Sequence, residues 1–158
     1  MTSPRPPLPV GGRLELHAHT HFSDGLLSPA ELVDRALERG ITALAITDHD
    51  VVEGVAPAQA AAAGRLEIVP GIEVSSSHEG LDLHILGYFI DPTHEGLLAR
   101  LALFRDERRQ RALAIVERLA TLGVPVNPDD VFAAAGPGVV GRPHVAQALL
   151  KAGHVPSM

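Results

Sequence analysis

The sequence predicts an α/β fold in which strands and helices alternate as far as residue 92 and a helical segment follows. Apolar segments of strand length alternate with capped segments of helical spacing, an order that is typical of a parallel sheet. After Asp91 the apolar residues recur at helical spacing only. With 158 residues, 46% of them hydrophobic, the chain is long enough to bury a core.

The first two predicted elements are a strand and a helix. Residues 14–20 alternate between apolar and polar, as a strand does, and lead into a turn at residues 23–25. Ser28 and Glu31 form a predicted capping box with Pro29 at the first helical position, and the helix ends at Gly40.

Three more strands and one helix are predicted before residue 92. They are a buried strand at 41–47, an Ala-rich helix at 55–63, a strand at 66–74 interrupted by Pro70-Gly71, and a strand at 83–90. In parallel α/β folds, ligand groups gather at the carboxyl ends of the strands. The residues that we expect to meet there are His17, His19, Asp48, His49 and Glu73.

The second half is predicted to contain helices alone. A long helix starts near Leu97 and ends at Gly123, a short one starts at Asn127, and another runs from Arg142 to about Gly153. The Arg-rich face of the long helix, residues 105–111, is expected to be exposed to solvent, with ion pairs formed inside the helix.

The composition excludes several kinds of site. The chain has no cysteine, which excludes disulfides, cysteine-ligated zinc and thiol nucleophiles. A net charge of −6 argues against broad binding of nucleic acid, although a nucleotide can still bind through divalent cations. No segment resembles a signal peptide or a membrane span, so we expect a cytoplasmic protein whose residues 1–12 form a flexible tail.

Two histidines on the first strand are candidate metal ligands. His17 and His19 are alternate residues and point to one side of the strand, where both can bind one cation. Asp24 in the following turn adds a carboxylate, and this combination suits Zn, Mn or Fe(II), with Mg also open. The alternative is that both histidines are polar residues on a solvated face.

A second candidate group follows the second strand. Asp48, His49 and Asp50 would make a poor core, so a site at the strand end explains them better than a plain turn does. Asp48 or Asp50 would then fix the tautomer of a metal-bound imidazole by a hydrogen bond. Glu73 and His84 have apolar neighbours, and in isolation an exposed carboxylate and a satisfied core histidine are the preferred interpretations.

Arg142 and His144 are candidates for binding a substrate phosphate. They lie at a predicted helix start, where free amide groups and a guanidinium both favour anions. A capping role alone explains them equally well. The other histidines are interpreted as ordinary loop or surface residues: His21, His78, His94 and His154.

Five short motifs follow one another in the chain: Leu16-His-Ala-His-Thr20, Ser23-Asp-Gly25, Thr47-Asp-His-Asp50, Gly71-Ile-Glu73 and His84-Ile-Leu-Gly87. In this order they resemble the motifs of the PHP (polymerase and histidinol phosphatase) family, and more narrowly its bacterial nucleotide phosphatase and 5′–3′ exoribonuclease branch. The resemblance covers roughly residues 13–155. It implies the N-terminal portion, about four strands, of a distorted seven-stranded β/α barrel at residues 13–92. A helical insertion would fill residues 93–158, and the chain would end before the barrel closes.

The resemblance also implies a set of up to three divalent metal ions, which could be Mn, Zn, Fe or Mg. The implied ligands are His17 and His19 on one ion, Glu73 bridging it to a second, His84 on the second, and Asp24 and His49 on the third. These ions would activate a hydroxide for in-line attack on phosphorus and stabilise the developing charge. Arg142, in the implied insertion, would contact a substrate phosphate.

The expected function is therefore that of a metal-dependent phosphoesterase acting on nucleotides, such as nucleoside 3′,5′-bisphosphates, or on short RNA 5′ ends. The family's later Ala-His-Pro and Ser-Asp-x-His motifs, which supply further ligands, have no counterpart in this chain. The alternative is thus a truncated, weakly active or non-catalytic module that binds metal or a partner. A DNA polymerase PHP domain is disfavoured by the chain's length, its acidic balance and its implied insertion. Half a barrel leaves open strand edges, which predicts self-association or a completing chain.

Overall fold

The structure is a computed structural model that describes residues 11–156. Its elements in chain order are β1 (Arg13–Ala18), α1 (Pro29–Glu38), β2 (Ile41–Ile46), α2 (Val55–Ala62), β3 (Glu67–His78), β4 (Leu81–Tyr88), α3 (Glu95–Thr121), α4 (Pro128–Ala135) and α5 (Arg142–Lys151). The predicted α/β fold class, with four strands and two helices in the first part and helices alone after them, is confirmed. Most of the predicted flexible tail, residues 1–10, lies outside the described residues.

The four strands form one sheet in the order β1-β2-β3-β4. The three strands joined by helices are parallel, as their spacing predicted. β4 instead runs antiparallel to β3, because only Glu79 and Gly80 separate the two strands. Both residues have positive φ, 52° and 80°, which is the backbone of a tight two-residue hairpin turn.

The predicted interruption of the third strand at Pro70-Gly71 is wrong, since β3 is continuous through both residues. Pro70 is the last residue of β3 that pairs with β2, and Gly71 is the first that pairs with β4. A Cβ at Gly71 would lie 2.9 Å from Thr47 Cγ2 and 3.0 Å from the Ile46 carbonyl oxygen. Glycine therefore allows the strand to pass close to the end of β2 as it changes partner.

Two buried cores hold these elements together. The sheet and the helices α1 and α2 share a core that includes the fully buried Val33, Leu44 and Val55. Each such side chain contributes about 1.5–3 kcal/mol by burial. The Ser28–Glu31 capping box is present at the start of α1, as predicted. Helices α3, α4 and α5 have their own core around Val131.

A smaller apolar cluster joins the helical half to the sheet. It contains Val52 beyond β2, Ile72 in β3 and Leu101 in α3, all of them buried. Ile72 precedes Glu73 in the chain, so this cluster packs α3 beside the part of β3 that contains Glu73. Within residues 11–156, no helix combines the length and the apolar character needed to cross a bilayer.

The sheet leaves apolar side chains exposed on its two outer strands. Leu14 and Leu16 on β1 are exposed, as are Leu83 and Ile85 on β4. The Tyr88 hydroxyl donates to the Leu16 carbonyl at 2.9 Å, which links the two outer strands β4 and β1.

Candidate metal centre

The candidate ligands are brought together by the backbone at the ends of β1 and β2 and in the middle of β3. His49 forms a parallel β-bridge with Glu73 just beyond the end of β2. The Asp50 amide donates to the Glu73 carbonyl at 3.0 Å, and the Glu73 amide donates to the Asp48 carbonyl at 3.1 Å. Because β1 pairs with β2, His17 and His19 reach the same point.

The Glu73 carboxylate is the centre of the cluster. Its Oε2 atom lies 2.8 Å from His17 Nε2 and 3.1 Å from His19 Nε2. Oε2 also lies 3.6 Å from His49 Nδ1, and Oε1 lies 2.8 Å from His84 Nδ1. One carboxylate thus faces four imidazoles, so Glu73 and His84 are part of one polar site, which neither residue would indicate alone.

Asp24 completes the cluster from the turn after β1. Its Oδ1 atom lies 3.3 Å from His19 Nδ1, and its Oδ2 atom lies 3.6 Å from His49 Nε2. The ligand atoms form three overlapping groups, within each of which all atoms lie within 4.8 Å of one another. The groups are His17, His19 and Glu73; His19, Asp24 and His49; and His49, Glu73 and His84.

The protonation states of two members suit metal binding. Burial lowers the pKa of His49, against the opposing charges of Asp24 and Glu73, so its ring is neutral at pH 7. Burial acts to raise the pKa of Glu73, but the hydrogen bond from His17 and the charges around it outweigh burial and lower the pKa overall. A neutral imidazole and an ionised carboxylate are the forms that bind a divalent cation.

One atom of the cluster is a buried nitrogen without a hydrogen bond. His49 Nδ1 has no hydrogen-bond partner among residues 11–156. Leaving such an atom unsatisfied costs about 1–3 kcal/mol, and a bound cation would remove that cost. Together with the imidazole and carboxylate donor set, which suits Zn, Mn or Fe(II), this observation shows that the residues fit divalent metal ions.

Asp48 supports the cluster in a different way from the one expected. The hydrogen bonds of Asp48 and Asp50 do not include an imidazole ring among the described residues, so a role in fixing the tautomer of a ligand histidine stays a prediction. The buried Asp48 carboxylate accepts from the Thr20 amide at 2.6 Å, from the Thr20 hydroxyl at 2.7 Å and from the Ser23 hydroxyl at 2.7 Å. Asp48 therefore holds the turn that carries Asp24.

Asp50 connects the cluster to the long helix α3. Its buried carboxylate accepts from the Ser75 amide at 2.8 Å and from Arg108 Nε at 2.6 Å. Arg108 Nη2 also donates to the Ser75 hydroxyl at 2.7 Å. The side chain of Arg108 is only 11% exposed, so the prediction that residues 105–111 form a solvated face is wrong at this position.

Arg108 contacts the site through Asp50, although its sequence pattern did not indicate this. The only indication of such a contact was Asp50, because a buried carboxylate requires a cationic partner and α3 carries several arginines that could provide one. Two other arginines of this face also have partners outside the helix: Arg105 pairs with Glu53, and Arg109 stacks on the Phe132 ring at 4.2 Å.

The two predicted phosphate-binding residues lie in a cavity of about 190 Å³ beside the cluster, at the start of α5. His144 is buried, its Nδ1 atom accepts from the Gly141 amide at 2.9 Å, and burial lowers its pKa. These contacts match the capping alternative for His144. Arg142 is exposed and pairs with Asp82 on β4 at 2.7 Å.

The loop before α5 is packed against the turn that carries Asp24. The Val139 amide donates to the Phe22 carbonyl at 2.9 Å. A Cβ at Gly138 would lie 2.4 Å from that carbonyl oxygen, so only glycine allows the contact. The helical half therefore touches the metal-binding turn directly.

Comparisons with known proteins agree with this geometry. A family model described as the PHP domain matches residues 15–121. The 5′-3′ exoribonuclease Rnm of Escherichia coli is 40% identical over 147 residues, which are 91% of this chain and 50% of the relative. The 3′,5′-nucleoside bisphosphate phosphatase of Chromobacterium violaceum is 38% identical over 147 residues, 92% of this chain and 52% of the relative.

A solved structure supports the same assignment. An amidohydrolase from Chromobacterium violaceum, which holds sulfate and no metal, superposes with a TM-score of 0.85 at 37% identity. The superposition covers 92% of this chain and 52% of that one. The chain thus spans about half the length of the relatives that it matches. A match over most of its length shows that the chain belongs to the PHP domain family.

Proposed function

We propose that this chain supplies most of a multi-metal site that hydrolyses phosphate esters of nucleotides or of short RNA 5′ ends. The observation that carries the proposal is the contact of the Glu73 carboxylate with four imidazoles, with Asp24 joining two of them. Relatives named as an exoribonuclease and as a nucleoside bisphosphate phosphatase support this class of substrate. The sulfate in a related structure supports a site for tetrahedral anions.

Some of the chain's residues would bind the metal ions, and others would position the loops of the site or bind the substrate. Up to three ions, Mn, Zn, Fe or Mg, would be held by His17, His19, Asp24, His49, Glu73 and His84. When bound, such ions activate water and stabilise the charge that develops on the phosphoryl group. Asp48 and Asp50 would keep the loops in place, and Arg142 would bind a substrate phosphate after leaving Asp82.

A second candidate function is a weakly active or non-catalytic module that binds metal or a partner. The exposed apolar side chains on β1 and β4 favour it, because in a closed barrel such strands are paired and covered. We propose that a second copy or a completing chain covers these strands.

We also propose a cytoplasmic location and a division into residues 13–92, the barrel portion, and 93–158, the insertion.

The test combines metal content with phosphate release. Elemental analysis of the purified chain should find divalent metal, and the chain should release phosphate from adenosine 3′,5′-bisphosphate or adenosine 5′-monophosphate. The double variant His17→Ala/His19→Ala should lose metal and any activity together. His78→Ala is the matched control, because that histidine is exposed at the end of β3, outside the metal-binding groups.

The outcomes separate the two candidates. Metal with phosphate release supports the phosphoesterase, whereas metal without release supports the non-catalytic module. A folded chain that binds no metal contradicts the phosphoesterase and leaves only a module that binds a partner. Elemental analysis also identifies which of the four metals is present.

A further inference from the structure

The Arg111 side chain lies between two cavities that border the metal centre. One cavity has a volume of about 190 Å³ and the other about 320 Å³. Four residues line both cavities: Ser75, His84, Arg108 and Arg111. His84 is in contact with Glu73, so a molecule with one group at the metal centre can extend past His84 into either cavity.

Of the two arginines that line both cavities, Arg108 and Arg111, only Arg111 has no ion pair among residues 11–156. Arg108 is neutralised by Asp50, and Arg142 is paired with Asp82. In residues 11–156, Arg111 has neither a hydrogen bond nor an ion pair, and its side chain is exposed. The pKa of Asp82 is lowered mainly by the hydrogen bond and charge of Arg142, with a smaller contribution from the charge of Arg111.

The larger cavity remains positive after its own ion pairs are counted. Its charged lining groups are Asp50, Asp82, Glu107, Arg100, Arg108 and Arg111. Asp50 is cancelled by Arg108 and Asp82 by Arg142, which leaves Arg100 and Arg111 against Glu107. Ser75, Ser76 and Ser77 line the same cavity, and a serine hydroxyl can donate to an anion. This is the chemistry of a phosphate subsite.

We propose that Arg111 binds a second phosphate of the substrate, the one that is not at the metal centre. The inference rests on the proposed function and names the residue that selects substrates with two phosphate groups. That second phosphate is either the other terminal phosphate of a nucleoside bisphosphate or the next phosphodiester of an RNA strand. A guanidinium suits both, because it can donate two parallel hydrogen bonds to one phosphate.

The test is a binding measurement on the purified, metal-loaded chain. Calorimetry compares adenosine 5′-monophosphate, adenosine 3′,5′-bisphosphate and the 5′-phosphorylated dinucleotide pApA as ligands of wild type and Arg111→Ala. We expect Arg111→Ala to weaken a ligand with a second phosphate about tenfold and to leave the monophosphate within about twofold, since one charge-assisted contact is lost. Arg118→Ala is the matched control, an exposed arginine on α3 that lines neither cavity.

Each outcome decides one point. Weaker binding of the bisphosphate alone supports the inference with a terminal phosphate as the ligand, and weaker binding of pApA alone supports it with a phosphodiester. Equal losses for all three ligands, or no loss for any, overturn the inference while leaving the proposed function intact. A wild-type chain that binds metal but no nucleotide overturns the proposed substrate class as well.

Discussion

The ion pair between Arg108 and Asp50 offers a sharp test of how the helical half supports the metal site. In Arg108→Ala the Asp50 carboxylate keeps its hydrogen bond from the Ser75 amide but loses its only cationic partner among the described residues. The Asp50 side chain is 1% exposed and that of Arg108 is 11% exposed, so water cannot readily replace the guanidinium. Removing one partner of a buried pair costs about 3–5 kcal/mol.

We expect a value near the lower end, about 3 kcal/mol, because Asp50 retains one strong donor. The exposed pair of Arg105 with Glu53 is the matched control, with side chains 48% and 44% exposed. Arg105→Ala should cost less than about 1 kcal/mol, since exposed pairs contribute little. Both variants remove an arginine from α3, so the difference between them isolates the effect of burial.

Urea denaturation of the three proteins measures the free energy of unfolding and its denaturant dependence. The variant Arg108→Met/Asp50→Asn should recover much of the loss, because it removes the unpaired charge, and Asn tolerates the positive φ of 53° at this position. If Arg108→Ala is as stable as Arg105→Ala, the buried pair does not hold the two halves together. If Arg108→Ala fails to fold, a folded Arg108→Met/Asp50→Asn variant would still show that the unpaired Asp50 charge is what destabilises the protein.

Two further predictions follow from the same structure. Burial lowers the pKa values of His49 and His144 below the usual 6.5. As the pH falls, these histidines therefore take up protons in the unfolded chain before they do so in the folded chain. Without metal, the free energy of unfolding should decrease as the pH falls from about 6.5 to the lowered pKa values. Urea midpoints at pH 7.5, 6.5 and 5.5 check this, and a flat profile would contradict it. The exposed Leu83 and Ile85 predict self-association, which Leu83→Glu/Ile85→Glu should reduce in light scattering; a monomeric wild-type chain would show that β4 needs no partner.

Local patterns were enough to predict most of the fold. Alternating residues located β1, a continuous apolar segment located β2, and the Ser28–Glu31 capping box located the start of α1. The direction of β4 was not predicted, although the signal was present. The Glu79-Gly80 pair leaves room for a two-residue turn only, and a parallel crossover needs a dozen residues or more.

Only part of the site could be predicted from local patterns. His17 and His19 share a strand face because of the strand's own period, so their proximity is visible in the sequence. Glu73 was expected near the strand ends, but Glu73 and His84 were assigned as metal ligands only through the ordered motifs of the resembled family, because their contact depends on the register of the β3–β4 pair. The Asp50–Arg108 pair joins residues 58 positions apart in the chain, and nothing local distinguishes Arg108 from its arginine neighbours.

The contact between Gly138 and the metal-binding turn tests whether the helical half is needed for metal binding. A methyl group at Gly138 would have to push the Phe22 carbonyl away, and that carbonyl lies two residues from Asp24. Gly138→Ala should therefore lower the metal content without unfolding α4 and α5, whose core around Val131 is untouched.

Gly141→Ala is the matched control for this variant, because its new methyl group would meet other atoms at ordinary distances of 3.4 Å and more. Elemental analysis after dialysis, with circular dichroism as the check on folding, measures the difference. Full metal content in Gly138→Ala would mean that the turn holds Asp24 through Asp48 alone. A loss would mean that the helical half positions a metal ligand as well as lining the adjacent cavity, so that metal binding and substrate selection depend on the same packing.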